Sequence, residues 1–247
     1  MPGQVVDTES AQEFMREALQ QISEAELDAV ADELEIKHAR FRAFLGQTHL
    51  RQARPEELRP VLRSIFATRR RTAELVSGEF SGHLSGWTAD LLDGEAAPVE
   101  RRFQVFCDRL ERAGLARSLR YDLASELLHY TAPDTYWLWT RWVWDPETRT
   151  GALPLVTMEE YDFGTGDPGP TYLRVGQALA FVHETGRAAG FTRIGEGRFG
   201  VDVYLACVYA VYVYTTVRMR MTQEFNRVIP PLAELCRRFL GVYKMEM

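Results

Sequence analysis

The sequence predicts a mainly α protein of 247 residues: a single-domain, helical bundle-like fold interrupted by one Trp-rich β-hairpin at about 136–158. Three observations carry that expectation. Apolar residues recur at steps of three and four over most of the chain, which sets them on one face of a helix. Capping residues, Pro and Gly punctuate these runs at helix-length intervals. Val201 to Ile229 then runs without Gly or Pro, far beyond the length of an ordinary strand.

Taken in order, Ser10 with Glu13 and Ser23 with Glu26 have the spacing of a capping box and open the first two helices. The second carries the stripe Leu27, Val30, Leu34, His38, Phe41 and Leu45, so a histidine lies on its apolar face. Pro55 to about Ser77 reads as one helix, with Pro60 as a candidate first turn. Gly82–Leu92 is a short helix stopped near Gly94, and Pro98 opens another that ends at Gly114. Leu115–His129 follows and is closed by Pro133. Between Tyr136 and Met158 the period drops to two, with bulky aromatic and β-branched residues flanking DPETRTG, which reads as a hairpin. Tyr172 to about Glu184 is helical again. Val201–Ile229 is a long helix ended by Pro230 and Pro231, and the last helix runs through Phe239. All of this is expected to form one domain over 1–247, with 164–170 and 186–200 as flexible connections.

Composition is that of an ordinary globular protein, with 46% hydrophobic and 26% charged residues. Twenty-seven of the 29 basic residues are arginine, leaving Lys37 and Lys244 as the lysines. The net charge of -6 does not favour nucleic acid as a partner, although a local basic face remains compatible with it. Cys107, Cys207 and Cys236 are widely spaced and suggest neither a disulfide framework nor a zinc site, in keeping with a cytoplasmic protein. The opening MPGQVVDTES lacks the basic and apolar regions of a secretory signal. The most hydrophobic stretch, Val203–Tyr214, falls short of a bilayer span, so no membrane partner is expected.

Two Glu-x-x-His sequences, Glu35 to His38 and Glu126 to His129, are the most metal-like feature. That spacing puts a carboxylate and an imidazole on adjacent turns, as in helical di-iron or di-manganese carboxylate proteins. Glu13 or Glu17 and Glu74 or Glu79 would have to complete such a site. The alternative makes His38 a hydrogen-bonded core histidine. A second feature is the cluster Trp137, Trp139, Trp142 and Trp144. On a strand, Trp137, Trp139 and Arg141 share a face that stacks nucleobases, anchors a protein partner or lies covered by helices. A third is the basic run Arg51 to Arg71, in which Arg69, Arg70 and Arg71 are candidate phosphate contacts and a solvated face is the alternative. GTGDPG at 164–169 matches a dinucleotide fingerprint formally, but Pro168 and Pro170 remove amides that would cradle phosphate. GxSxG, P-loop and HExxH signatures are absent.

The stretch Ala124–Trp139, reading ASELLHYTAPDTYWLW, resembles a phrase of 8-oxoguanine-glycosylase-like proteins of the helix-hairpin-helix class. The resemblance covers sixteen residues and implies a mostly helical fold with DNA-binding ancestry. The chain departs from that pattern in having no glycine hairpin of the LPGVGxxTA kind, and Thr140 stands where related sequences often have Asp. The leading expectation is therefore a non-catalytic helical protein, an accessory or assembly factor, that binds a protein partner or a second copy of itself. It is expected to hold no cofactor and to use the Trp segment and the glycine-rich loop as its contact surface. The alternatives are a di-metal carboxylate/histidine oxidoreductase holding two iron or manganese ions, and a helix-hairpin-helix-like nucleic-acid-binding protein.

Overall fold

The computed structural model describes residues 4–46, 50–78, 80–164, 166–190, 197–220 and 230–244. Among these the chain forms ten α-helices joined by short 3-10 turns, and no strand. They sort into two compact units, the first made of Met1–Leu34, Trp142–Tyr161 and Ala178–Met247, the second of Glu35–Arg141 and Asp162–Gln177.

In the first unit, α1 (Thr8–Leu19) is capped by Asp7, whose carboxylate accepts from the Ser10 amide at 3.1 Å. The helix thus starts before the Ser10 cap that spacing suggests, because an aspartate three residues ahead also meets the exposed first-turn amides. The Ser23 and Glu26 box forms as expected, with reciprocal bonds of 3.0 and 3.3 Å opening α2 (Glu24–Leu45). The long α9 (Gly200–Arg220) is buried without a break from Val201 to Val208. A helix apolar on all sides must be covered on all sides. Its partners within this unit are α1, through the Tyr204 hydroxyl donating to the Ala11 carbonyl at 3.0 Å, and α10 (Leu232–Phe239). Residues 221–229 of the expected long helix lie outside the described residues.

The segment 142–161 corrects the hairpin expectation. Its DPETRTG turn is real, with the Asp145 amide donating to the Thr150 carbonyl at 2.7 Å, but only an isolated bridge forms there. The chain then folds back tightly, Ala152 and Leu153 donating to the carbonyls of Trp142 and Val143, and enters a 3-10 turn at Leu153–Leu155. Gly151 makes the fold-back possible, because it sits at φ 140° and a Cβ there would lie 2.4 Å from the Val143 carbonyl oxygen. Replacing Gly151 by Ala is expected to cost about 1–3 kcal/mol in urea unfolding. A cost below a few tenths would mean that the loop relaxes freely.

In the second unit, the helix expected over 55–77 is broken into a 3-10 turn at Pro55–Leu58, α3 (Arg59–Ser64) and α4 (Thr72–Ser77). Ile65 turns extended, and the buried Thr68 hydroxyl donates to the Leu62 carbonyl at 2.7 Å, taking up a group that a continuing helix would have used. The next helices are α5 (Ser81–Leu92), α6 (Val99–Arg112) and α7 (Arg117–Thr131), with Gly114 at φ 79° closing α6. The eighth helix, α8 (Pro168–Ala189), begins inside the stretch expected to be a flexible connection and also absorbs 186–189 of the second such stretch. Gly169 explains why glycine stands there: a Cβ would lie 2.2 Å from the Glu100 carbonyl oxygen, where the first turn of α8 meets α6. That is a packing role for the third glycine of GTGDPG, not a phosphate cradle.

Candidate functional site

The second unit is organised by one helix that is polar on its buried face. Asp122, Ser125, Glu126, His129 and Tyr130 stand at i, i+3, i+4, i+7 and i+8 on α7, so they form one stripe, and all five are buried. Three of them hold the irregular segment Tyr136–Arg141. The His129 Nδ1–H donates to the Tyr136 carbonyl at 2.7 Å. Ser125 Oγ accepts from the Trp139 amide at 2.5 Å, and Asp122 accepts from the Arg141 amide at 2.9 Å. Side chains of a helix thereby do for this segment what a second strand would do for a hairpin arm, which is the physical reason that no strand pairs with it.

Glu126 and Lys37 form an ion pair of 2.8 Å at essentially zero exposure. The Lys37 ammonium also lies 3.8 Å from the centroid of the Tyr130 ring, a cation–π contact in a dry setting. Burial pushes the Glu126 carboxyl up while Lys37 draws it down. Asp122 is pushed up to about 7, first by burial, against the downward pull of Arg141. His38 donates from Nδ1 to the Tyr130 carbonyl at 2.8 Å. Of the metal-like residues, then, Glu35 is exposed, Glu126 is neutralised by a lysine, and each histidine commits its Nδ1 to a carbonyl. Among the described residues no group of three or more His, Cys, Asp and Glu is gathered where it could hold a metal ion.

The tryptophans separate. Trp139 is buried in a stack with Tyr121 at 4.8 Å and Phe103 at 5.7 Å between ring centroids. Trp137 is half-buried, its indole resting 3.0 Å from the position a Cβ would take on Gly176. Arg141 is exposed but ion-paired to Asp122 at 3.3 Å. The Trp137, Trp139 and Arg141 surface expected for a partner is therefore not presented as one face. Arg69 lies over the Phe66 ring at 4.7 Å, Arg71 pairs with Glu74 at 2.6 Å, and Arg70 is exposed.

What the sequence pattern did not single out is a cleft between α5 and α6. Trp87, the tryptophan outside the cluster, lines it and stacks with two further rings, half-buried Phe80 at 6.3 Å and exposed His83 at 5.7 Å, both near-parallel to the indole. The cleft has a volume of about 190 Å³ and is framed by Arg51, Arg101, Arg102, Arg109, Asp90 and Asp93. Asp90 anchors two of these cations, accepting from Arg109 at 2.5 Å and from Arg51. Burial raises its carboxyl, and those arginines more than offset the rise, so it stays below the usual carboxylate range. Arg102 is spent on structure, donating to the Ala97 carbonyl at 2.8 Å, to the Leu91 carbonyl and to the Tyr136 hydroxyl at 2.9 Å. Exposed Arg101 has no ion pair or side-chain hydrogen bond among the described residues, and Val105 beside it is 39% exposed. The one sequence signal for this site was Trp87 with Phe80 and His83 at near-helical spacing ahead of an Arg-rich helix.

The chain matches no family model, and neither a curated protein nor a solved structure resembles it significantly. Among the described residues no helix is long and apolar enough to cross a membrane.

Proposed function

We propose that this protein works by binding a protein partner rather than by catalysis, and that the α5/α6 cleft is the contact surface. The observation that carries the reading is the stacked Phe80, His83 and Trp87 ladder beside a cleft whose aspartates are already matched by Arg51 and Arg109, leaving Arg101 over. Aromatic side chains with Arg are the residue types that concentrate binding energy in protein interfaces. The opening is smaller than the ~300–1,000 Å³ of small-molecule pockets, and its size suits one anchoring side chain of a peptide segment. Charge gives the partner's chemistry. In an acidic chain the second unit has eighteen Lys and Arg against sixteen Asp and Glu, and the cleft itself has four arginines against two aspartates. The partner segment accordingly presents a carboxylate to Arg101 next to an apolar or aromatic residue that lies on Trp87 and Val105.

Selection of displayed peptides on the full chain tests this. The expected consensus pairs Asp or Glu with an aromatic or aliphatic neighbour. Binding should fall about tenfold or more in Arg101→Glu and in Trp87→Ala, while Arg70→Glu, on another exposed part of the unit, leaves it unchanged. Arg101→Glu should keep the wild-type melting temperature, because the side chain makes no ion pair or side-chain hydrogen bond among the described residues. Failure to select a consensus, or a consensus indifferent to both cleft variants, would overturn the reading. Stoichiometric metal lost in His38→Ala and His129→Ala would move the function to the carboxylate/histidine site instead.

A further inference from the structure

In the first unit the cysteines of α9 and α10 meet, with Cys207 Sγ and Cys236 Sγ 3.8 Å apart and both residues buried. They are twenty-nine positions apart in a sequence that shows no CxxC or other redox spacing, so only the fold brings them together. Cys107 is also buried, and it belongs to the second unit. We propose that Cys207 and Cys236 are a thiol pair that closes to a disulfide under oxidants of the low-molecular-weight disulfide class, fastening α10 to α9.

The geometry asks for little. The sulfurs must approach by about 2 Å to reach a bond of roughly 2.0 Å, and the two helices that carry them pack against one another. Chemistry sets the order of events. The S–H···S contact with Cys236, together with burial, holds the Cys207 thiol well above its ordinary range, and a thiol is not the attacking species. Reaction therefore waits for local opening. Eight-residue α10 is the shorter of the two helices and the element whose lifting frees both thiols; it must give up the Arg237 to Glu33 pair at 2.9 Å, the Trp142 indole donating to the Phe239 carbonyl at 3.1 Å, and the Phe239 ring contacts with Trp142 and Tyr209. When α10 lifts, Cys236 loses its proton and attacks one sulfur of oxidised glutathione. That S–S bond breaks, one glutathione thiolate leaves, and a mixed disulfide remains on Cys236. Before α10 has fully re-docked, with Cys207 still open to solvent, Cys207 loses its proton and attacks the Cys236 sulfur, and the second glutathione leaves as thiolate. Two electrons pass from the protein to the oxidant, and the two thiol protons end on two glutathiones. In a reducing compartment the pair stays as thiols, so closure records an oxidising episode.

The test uses the full chain in native buffer with oxidised glutathione, followed by intact mass, peptide mapping and amide exchange. Expected is a loss of two hydrogen masses, a linked Cys207 and Cys236 peptide, amide exchange in α10 slowed about tenfold, and full reversal by dithiothreitol. Cys107→Ser should behave as the wild type, whereas Cys236→Ser and Cys207→Ser should each lose the link. Because a serine in the core could unfold the unit, Cys236→Ala and Cys207→Ala are run alongside, with helicity checked by circular dichroism. A link through Cys107, a link formed only in denaturant, or no loss of mass while added free cysteine is oxidised in the same tube would each overturn the proposal.

Discussion

Replacing Glu126 by Leu is expected to destabilise the protein by about 3–5 kcal/mol, the usual cost of leaving one member of a buried ion pair without its partner. The size follows from where Lys37 lies. Its ammonium is at zero exposure, 2.8 Å from Glu126 and over the faces of Tyr130 and Phe41, so no water is at hand to replace the carboxylate. The ring of Tyr130 retains part of the stabilisation, worth about 2 kcal/mol at most for a desolvated contact. The double variant Lys37→Met with Glu126→Leu is expected to recover nearly all of the loss, because two apolar side chains of similar volume need no desolvation of charge. Urea unfolding of the three proteins measures this. A cost below about 1 kcal/mol for Glu126→Leu would mean that Lys37 reaches solvent or gives up its proton, and a double variant as unstable as the single one would mean that the volume, not the charge, is what α7 requires.

This pair also shows why the candidate site was only half legible. Glu126 and His129 were visible as a motif because three-residue spacing on a helix is a local property. The group that answers Glu126 is Lys37, two residues into the other Glu-x-x-His sequence, and that partnership is set by packing across eighty-nine positions of chain. The stripe Leu27, Val30, Leu34, His38, Phe41 and Leu45 was readable for the same local reason, and every member is buried. The Trp segment was misread through the same kind of reasoning. Alternating aromatics favour extended backbone, but 136–140 takes no regular structure. Periodicity does not say what satisfies its amides and carbonyls, and here the answer is Ser125, His129 and Asp122 on a helix. The helix over 55–77 failed at Ile65 and Thr68, where a hydroxyl competing for a backbone carbonyl outweighed a good apolar pattern. Trp87 was passed over because clustering drew attention to the four tryptophans that mostly serve the core.

Raising the pH from 5 to 7 is expected to weaken the folded state by about 2–3 kcal/mol, and Asp122→Asn is expected to remove most of that decline. The Asp122 carboxyl, fully enclosed, is pushed from 3.8 to about 7 by burial, with Glu126 nearby adding to the rise and Arg141 opposing it. Between those two values the folded protein keeps a proton that the unfolded chain has released. Each pH unit climbed through that interval therefore costs about 1.4 kcal/mol of stability, the full window amounts to about 4 kcal/mol, and the loss is complete once the pH passes the folded value. The opposite slope sets in below the window, where Asp7, Glu26, Glu74, Asp90 and Glu234, all held below their ordinary values in the folded state, take up protons. Stability should accordingly peak on the acid side of neutrality. An amide at position 122 still accepts the Arg141 amide hydrogen, but has no proton to release, so the variant's urea midpoint should stay nearly level from pH 5 to 7. If the wild type is already level there, the Arg141 guanidinium holds Asp122 ionised at all of these values; if the decline survives in Asp122→Asn, the titrating proton sits on Glu126, and Lys37→Met should then be the variant that shifts it.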